Sequence, residues 1–346
     1  MNNEPIGVVG VPVCGVCGGE GDQLHADVPD RLFRTPGTWS LRRCRVCRAV
    51  WLDPRPTDED LGRTYCDYYT HGPESSEEAT KDDRHGALHA AELGEARRRF
   101  GLAGEELEGT PAMRRLVAGW AGRRADSDYL AAHLPVQPNA QLLDVGCGDG
   151  RLLEHLRRLG WHVQGVEPDA SAADAARRRG LQVTTGTLES AAFGPEEFAA
   201  VTMSHVIEHL ADPRRTLREI RRVLRPGGSL VVITPNADSV LHSVFGRDWF
   251  PLDPPRHLLL HSSSSLDRLL REQGFVGRVR DSWRAANVTV AASLAFRRGR
   301  PYSMSVAPPR PTRVLAELGQ QALAMSARAL RGRGDELVAV TTRVDV

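Results

Sequence analysis

Apolar and polar residues change rhythm several times along this chain of 346 residues. Residues 1–70 hold short β-like runs, Thr38-Trp39-Ser40-Leu41 and Ala49-Val50-Trp51-Leu52, set among turn residues. From His71 to His85 the sequence is polar and acid-rich without an apolar period, which reads as a linker. Between about Ala87 and Leu134 the spacing is helical, broken near Gly109-Thr110-Pro111, and predicts two helices.

From Ala140 strands and helices alternate. The pattern predicts strand Ala140–Val145, helix Gly150–Leu159 with Leu152, Leu153, Leu156 and Leu159 on one face, and strand Val163–Val166. Helix Ser171–Arg179 and strands Leu181–Thr185 and Phe198–Met203 come next. Asp212 should cap a helix with Pro213 at its first position and Leu217, Ile220, Val223 and Leu224 inward; Pro226-Gly227-Gly228 should end it before strand Ser229–Thr234. Later come helix Ser264–Gln273, a strand from Phe275, an Arg/Pro-rich loop from Arg297 to Thr312, helix Val314–Leu330 and strand Glu336–Thr342. Such alternation implies an α/β fold, a mostly parallel sheet with helices on both faces.

Composition narrows the classes. Hydrophobic residues are 41% and charged residues 26%, which excludes wholesale disorder. Lys+Arg is 45 against 44 Asp+Glu, a net charge of +1, and only Lys81 is lysine. A nucleic-acid clamp needs a positive surplus, so this balance argues against one. No window approaches 18 consecutive apolar residues, and Met1-Asn2-Asn3-Glu4 lacks the basic start of an export signal, so a cytoplasmic protein without membrane contact is expected.

Six cysteines stand at 14, 17, 44, 47, 66 and 147. Cys14, Cys17, Cys44 and Cys47 form two C-x2-C pairs 26 residues apart, which in a reducing compartment read as one closed, structural zinc site. Residues 1–70 hold 8 arginines against 10 acids, so this ribbon makes a poor phosphate grip. Tyr65, Tyr68 and Tyr69 follow it, able to cover a cleft or to pack the module onto its neighbour.

Between the first α/β strand and its helix runs Asp144-Val145-Gly146-Cys147-Gly148-Asp149-Gly150-Arg151. A dinucleotide fingerprint would need glycine at 151; the pattern here is D-x-G-x-G-x-G. Glu167 stands 23 residues after Asp144, at the end of the second strand, where a carboxylate can accept both hydroxyls of a ribose. His205-Val206-Ile207-Glu208-His209 spells an inverted zinc-peptidase motif, but it follows a strand rather than lying in a helix, which argues against a metallohydrolase.

On Leu143–Gly150, Val166–Asp169, His205–Leu210 and Leu224–Gly228, the chain resembles the class I S-adenosylmethionine-dependent methyltransferases over roughly residues 130–295 plus the final strand. The resemblance implies a Rossmann-like sheet preceded by a small zinc ribbon. It places Asp144, Gly146, Cys147 and Gly148 around the methionine part of the cofactor, Glu167 on its ribose, Thr187 and Leu188 beside the adenine, and Ser204 among the remaining contacts. Many members carry an acid where Thr187 stands. The expected organisation is a zinc-ribbon module at 1–70, linker and helical cap at 71–134, and a methyltransferase domain at 135–346 with a helical insertion before its last strand.

The expected activity is methyl transfer to a small-molecule acceptor of sugar or natural-product type. In-line displacement would be aided by a histidine base, His205 or His257, and His209 and Arg256 are further candidates at the acceptor. An RNA base methyltransferase that reads through its ribbon, and a non-catalytic scaffold, are the alternatives.

Overall fold

A computed structural model of the chain describes residues 5–65, 83–100, 109–119, 128–129, 131–134, 137, 139–302 and 332–345. Cys66, Tyr68, Tyr69, most of the expected linker, the loop beyond residue 302 and the expected helix Val314–Leu330 lie outside the described residues.

The N-terminal strands are β1 (Val8–Val9), β2 (Gly21–Pro29), β3 (Thr38–Cys44), β4 (Val50–Leu52) and β5 (Arg55–Pro56). β1 pairs antiparallel with β5, and the short helix α1 (Asp58–Leu61) follows, capped by the Thr57 hydroxyl. Helices α2 (Asp83–Phe100) and α3 (Pro111–Gly119) occupy the stretch of helical spacing, on either side of the expected break.

Strands β6 (Gln141–Val145), β7 (His162–Glu167), β8 (Gln182–Thr185), β9 (Phe198–Ser204) and β10 (Leu224–Pro235) pair in parallel. After β11 (Leu259–Leu260), β12 (Phe275–Ser282) and β13 (Glu336–Arg343) complete a seven-stranded sheet ordered β12-β13-β10-β9-β6-β7-β8. β13 runs antiparallel between β10 and β12.

Alternate side chains of each strand go to opposite faces. Leu143, Val201, Leu230 and Val232 pack with helices α6 (Pro213–Val223) and α8 (Ser263–Glu272). Leu142, Ala200, Val231 and Ile233 pack with α4 (Arg151–Arg158) and α5 (Ala170–Arg178). Leu217 and Ile220 of α6 are fully buried, each worth roughly 1.5–3 kcal/mol of transfer free energy. Asp212 caps α6 as expected, its carboxylate accepting from Arg215 N at 3.0 Å.

Several elements depart from the sequence reading. Strand β10 begins at Leu224, not Ser229, because Leu224 already pairs with Phe198 before the glycine turn breaks the register. Helix α9 (Ala286–Arg297) was not expected at all. Its inward positions are Ala286, Thr289, Ala292, Ser293 and Phe296, too small and polar to show an apolar stripe, and Val288, Thr289 and Val290 bias toward strand. A short helix α7 (Val240–Phe245) lies between β10 and β11.

The insert after β10 is stitched into the N-terminal module. β11 pairs antiparallel with β4, giving a four-stranded sheet ordered β11-β4-β3-β2. Among the described residues no helix is long and apolar enough to cross a membrane.

Candidate functional site

The turn from β6 into α4 needs three glycines in left-handed conformation: Gly146 at φ +70°, Gly148 at +54° and Gly150 at +81°. A Cβ on Gly146 would stand 2.5 Å from Val206, and one on Gly150 2.4 Å from Leu181. At Gly148 a Cβ would meet nothing within 4 Å, so the backbone there borders open space. No side chain caps α4 at Gly150, leaving its first-turn amides to the loop. Glu167 ends β7 beside it, accepting from Gly148 N at 2.9 Å and from Asp169 N at 3.0 Å.

The other expected cofactor residues are placed unevenly. Asp144 is buried and accepts from Thr202 Oγ1 at 2.6 Å; burial pushes its carboxyl up to about 7, with the Glu167 charge adding to the rise. Cys147 turns its thiol into the core against Gly165 and Leu153, and burial raises its pKa. Leu188 is likewise a core residue, so only the main chain of these two can face a ligand. Thr187 is exposed, in a turn closed by Ser190 Oγ on its amide at 2.9 Å. Ser204 ends β9 half-buried, hydrogen-bonded to the Tyr129 hydroxyl.

Beyond the carboxyl ends of β9 and β10 lies a cavity of about 630 Å³, whose lining includes Tyr129, Arg151, His205, His209, His257 and Glu336. His205 adopts φ +54° and is held between two carboxylates, with Nε2 2.9 Å from Glu336 Oε1 and Nδ1 3.3 Å from Glu208 Oε1. Burial opposes charge on this ring, but the two carboxylates outweigh it and lift the pKa to about 9. Both acids stay ionised against burial, held near 2: Glu208 chiefly by His205, and Glu336 by Arg284 and His205. An imidazolium has no lone pair, so His205 in this state cannot act as the expected base. His257 is buried, its Nδ1 donating to Pro251 O at 2.7 Å.

Four further residues shape this wall. Arg256, expected near the acceptor, is fully buried instead. Its guanidinium forks onto Asp30 at 2.7 and 2.8 Å and onto Asp253 at 2.5 Å, and it covers the Phe33 ring. It clamps the insert to β2's end rather than meeting a ligand. His209 contacts the Tyr65 hydroxyl at 2.9 Å and Arg256 O at 3.1 Å, and burial holds its pKa down at about 4. Glu336 and Arg284, paired at 2.9 Å, come from segments far downstream and carry no motif.

The cysteine quartet converges on one point. The four sulfurs lie within 4.8 Å of one another, with Cys14–Cys47 at 3.5 Å and Cys17–Cys44 at 3.4 Å, far beyond a disulfide bond. The amides of Val46 and Cys47 point at Cys44 Sγ, at 3.4 and 3.5 Å. These distances suit four thiolates around a tetrahedral ion with bonds of about 2.3 Å. The knuckle rests on the large sheet's helices: Ser262 Oγ donates to Cys47 O at 2.6 Å, and Arg214 donates to Val16 O at 2.5 Å.

A family model described as a methyltransferase domain matches residues 117–278. The chain carries a methyltransferase domain. The ubiquinone biosynthesis O-methyltransferase of Xanthomonas campestris pv. campestris (strain B100) is 35% identical over 116 residues, 32% of this chain and 48% of that protein. The protein of the same name from Alkalilimnicola ehrlichii is 31% identical over 164 residues, 44% of this chain and 66% of its own length. A solved structure from Thermotoga maritima, a SAM-dependent methyltransferase described as a possible histamine N-methyltransferase, is 24% identical with a TM-score of 0.43, covering 66% of this chain and 92% of that one. The chain spans about half to two-thirds of the length of these curated relatives. The matched part of the methyltransferase domain holds the glycine loop, Glu167 and the His205–His209 segment, while the cysteine quartet and β13 fall outside it.

Proposed function

We propose that the protein transfers a methyl group from S-adenosylmethionine to a small-molecule acceptor of sugar or natural-product type seated in the 630 Å³ cavity. The observation that carries this reading is the backbone cradle at Gly148, open to a ligand and flanked by Glu167, inside a matched methyltransferase domain. The relatives' shared name, an O-methyltransferase, supports an oxygen acceptor.

When bound, the cofactor supplies an electrophilic methyl group on a sulfonium. The chain's residues then have four tasks. Gly146, Gly148 and the uncapped amides of α4 receive the methionine end, and the Asp144 carboxyl stiffens the loop from beneath through Thr202. Glu167 takes the ribose hydroxyls with the oxygens that now hold Gly148 and Asp169. The turn at Thr187 and Leu188 borders the adenine, and Ser204 with the amide of Cys147 closes the pocket. At the acceptor, the His205 imidazolium between Glu208 and Glu336 orients a polar group, and His257 is the remaining candidate to draw off its proton.

The quartet Cys14, Cys17, Cys44 and Cys47 holds one structural zinc, and its four reduced thiols suit a cytoplasmic protein. The organisation into a ribbon at 1–70, a linker and cap at 71–134 and a methyltransferase domain at 135–346 is part of this reading. So is the ribbon's role as a wall: β11 and Arg256 tie it to the insert that carries His257.

Calorimetry with S-adenosylhomocysteine tests the proposal. Binding to the wild type and its loss in Glu167→Ala supports it, whereas no binding by the wild type would favour a scaffold. An RNA filter-binding titration at low salt separates the RNA-methylating alternative, which requires tight binding to a chain of charge +1.

A further inference from the structure

Away from the cavity and the cysteine quartet, a pair of histidines bridges the ribbon and the insert. His25 of β2, half-buried, and His242 of α7, buried, stand Nε2 to Nε2 at 3.0 Å across 217 residues of sequence. We propose that they form a proton-sensitive latch: neutral, the pair ties β2 to α7, and doubly protonated it lets go.

The geometry admits one hydrogen-bond pattern for the neutral pair. His242 Nδ1 meets Ala237 O at 2.8 Å, and a carbonyl only accepts, so the proton stands on Nδ1. The ring then offers its lone pair at Nε2, and His25 donates Nε2–H to it. Trp249 stacks on His242, centroids 4.4 Å apart and planes 13° from parallel, which holds the ring in place. One added proton is tolerated, because one ring can still donate to the other. A second sets two N–H groups face to face, and the bond is gone.

The surroundings oppose charge on the pair. Burial holds the pKa of His242 down at about 4; the Ala237 carbonyl and Asp238 work against that fall, while His25 and Arg43 add to it. Burial lowers His25 as well, helped by Arg247 and Arg43. Freed into water, each imidazole would titrate near its ordinary value of about 6.5. Below that value the released state binds more protons than the latched one. The latch is therefore fully held above pH ~6.5 and weakens as pH falls toward ~4, by up to about tenfold per unit for each histidine.

The loosening is local. β2 is the edge strand of its sheet, and its register with β3 shifts on both sides of His25, so side-chain contacts matter to its anchoring. Arg247, which donates to Asp27 O at 2.7 Å, does not titrate in this range. The Asp30–Arg256 clamp also survives, since the guanidinium holds the Asp30 carboxyl below its usual range against burial. Leu32, just past β2, and Phe250, just past α7, line the cavity, so release of β2 from α7 reaches its wall.

Hydrogen exchange on the zinc-loaded full chain, corrected for intrinsic rates, tests the latch. Protection of Gly21–Pro29 and Val240–Phe245 should fall at least tenfold from pH 7 to pH 5. His242→Gln should flatten that fall in part, and His25→Gln/His242→Gln entirely, with zinc content and circular dichroism checking the fold. Zinc loss in acid would persist in the double variant, so a fall unchanged there overturns the proposal, as does a flat wild-type profile. Histidine nitrogen-15 spectra of the wild type need no variant. At pH 7.5 His242 should carry its proton on Nδ1 alone and His25 on Nε2 alone; any other pattern refutes the latch.

Discussion

The two halves of the sheet's carboxyl edge are built in opposite ways. On one side, Asp144, the three glycines and Glu167 come from a single β-loop-α-β unit, and main-chain geometry does most of the shaping. On the other, Tyr65, His205–His209, Asp253–His257, Arg284 and Glu336 meet from five separate stretches and are held by charge: Glu336–His205–Glu208 and Asp30–Arg256–Asp253. A local site tolerates change elsewhere in the chain. The assembled one depends on the docking of every contributor, the ribbon included.

The largest test of that dependence removes the ribbon's organising ion. Cys14→Ser/Cys44→Ser should abolish zinc binding, and metal affinity here is folding free energy, on the order of 10 kcal/mol. The ribbon sheet β11-β4-β3-β2 should come apart and take the His257 wall with it. Cofactor affinity should survive, because the glycine loop draws nothing from the ribbon. Native mass spectrometry and calorimetry on the same variant read both halves; equal loss of both would erase the distinction.

Arg256→Met comes next. It would leave Asp30 and Asp253 facing one another without their shared cation, in a site where all three side chains are almost wholly buried. Breaking a buried ion pair by removing one partner costs about 3–5 kcal/mol. Denaturant unfolding should show that loss, and adding Asp30→Asn and Asp253→Asn should return part of it. A variant as stable as the wild type would mean that the clamp is not holding the insert.

Legibility follows the same division. The strands and helices of residues 140–235 announce themselves by period, and the cradle by glycine spacing, because a turn requiring positive φ at three positions leaves a mark in the sequence itself. The quartet is legible because metal geometry constrains spacing. What stays hidden is whatever depends on distant partners. Arg256 and His257 read alike in sequence, yet Asp30, 226 residues upstream, makes one a buried clamp while the other lines the cavity. His205 looks like a base until Glu336, 131 residues away, turns it into a cation. Leu188 and Cys147 stand in cofactor segments, but their side chains serve the core. Helix α9 is hidden for a different reason: four of its five buried positions are alanine, serine or threonine.

On the local side, Glu167→Ala should remove the ribose contacts, two charge-assisted hydrogen bonds each worth ~1.5–3 kcal/mol before compensation. S-adenosylhomocysteine affinity should fall at least tenfold, while the metal content and thermal stability of the ribbon stay unchanged. Since Glu167 also holds Gly148 N, Glu167→Gln should recover part of the loss by keeping an acceptor there. Wild-type affinity in both variants would dismiss the cradle as the cofactor site.

The smallest effect compares one buried carboxyl at each edge. Asp144 and Asp335 are both pushed from 3.8 to about 7, in each case chiefly by burial. Asp335, on the assembled side, accepts from Thr289 Oγ1 at 2.5 Å and lies next to Glu336, whose charge adds to the rise. Because the folded pKa exceeds the unfolded one, the native state binds more protons between those two values. Stability therefore falls as pH climbs from about 4 to about 7 and levels off above. Asp335→Asn cannot ionise, so its stability relative to wild type should improve from pH 4.5 to pH 8. Urea unfolding of both proteins at the two pH values measures the difference. A constant gap would show that Asp335 is already ionised at pH 4.5. The assembled edge would then hold a third negative charge beside Glu208 and Glu336, against the positive charges of His205 and Arg284.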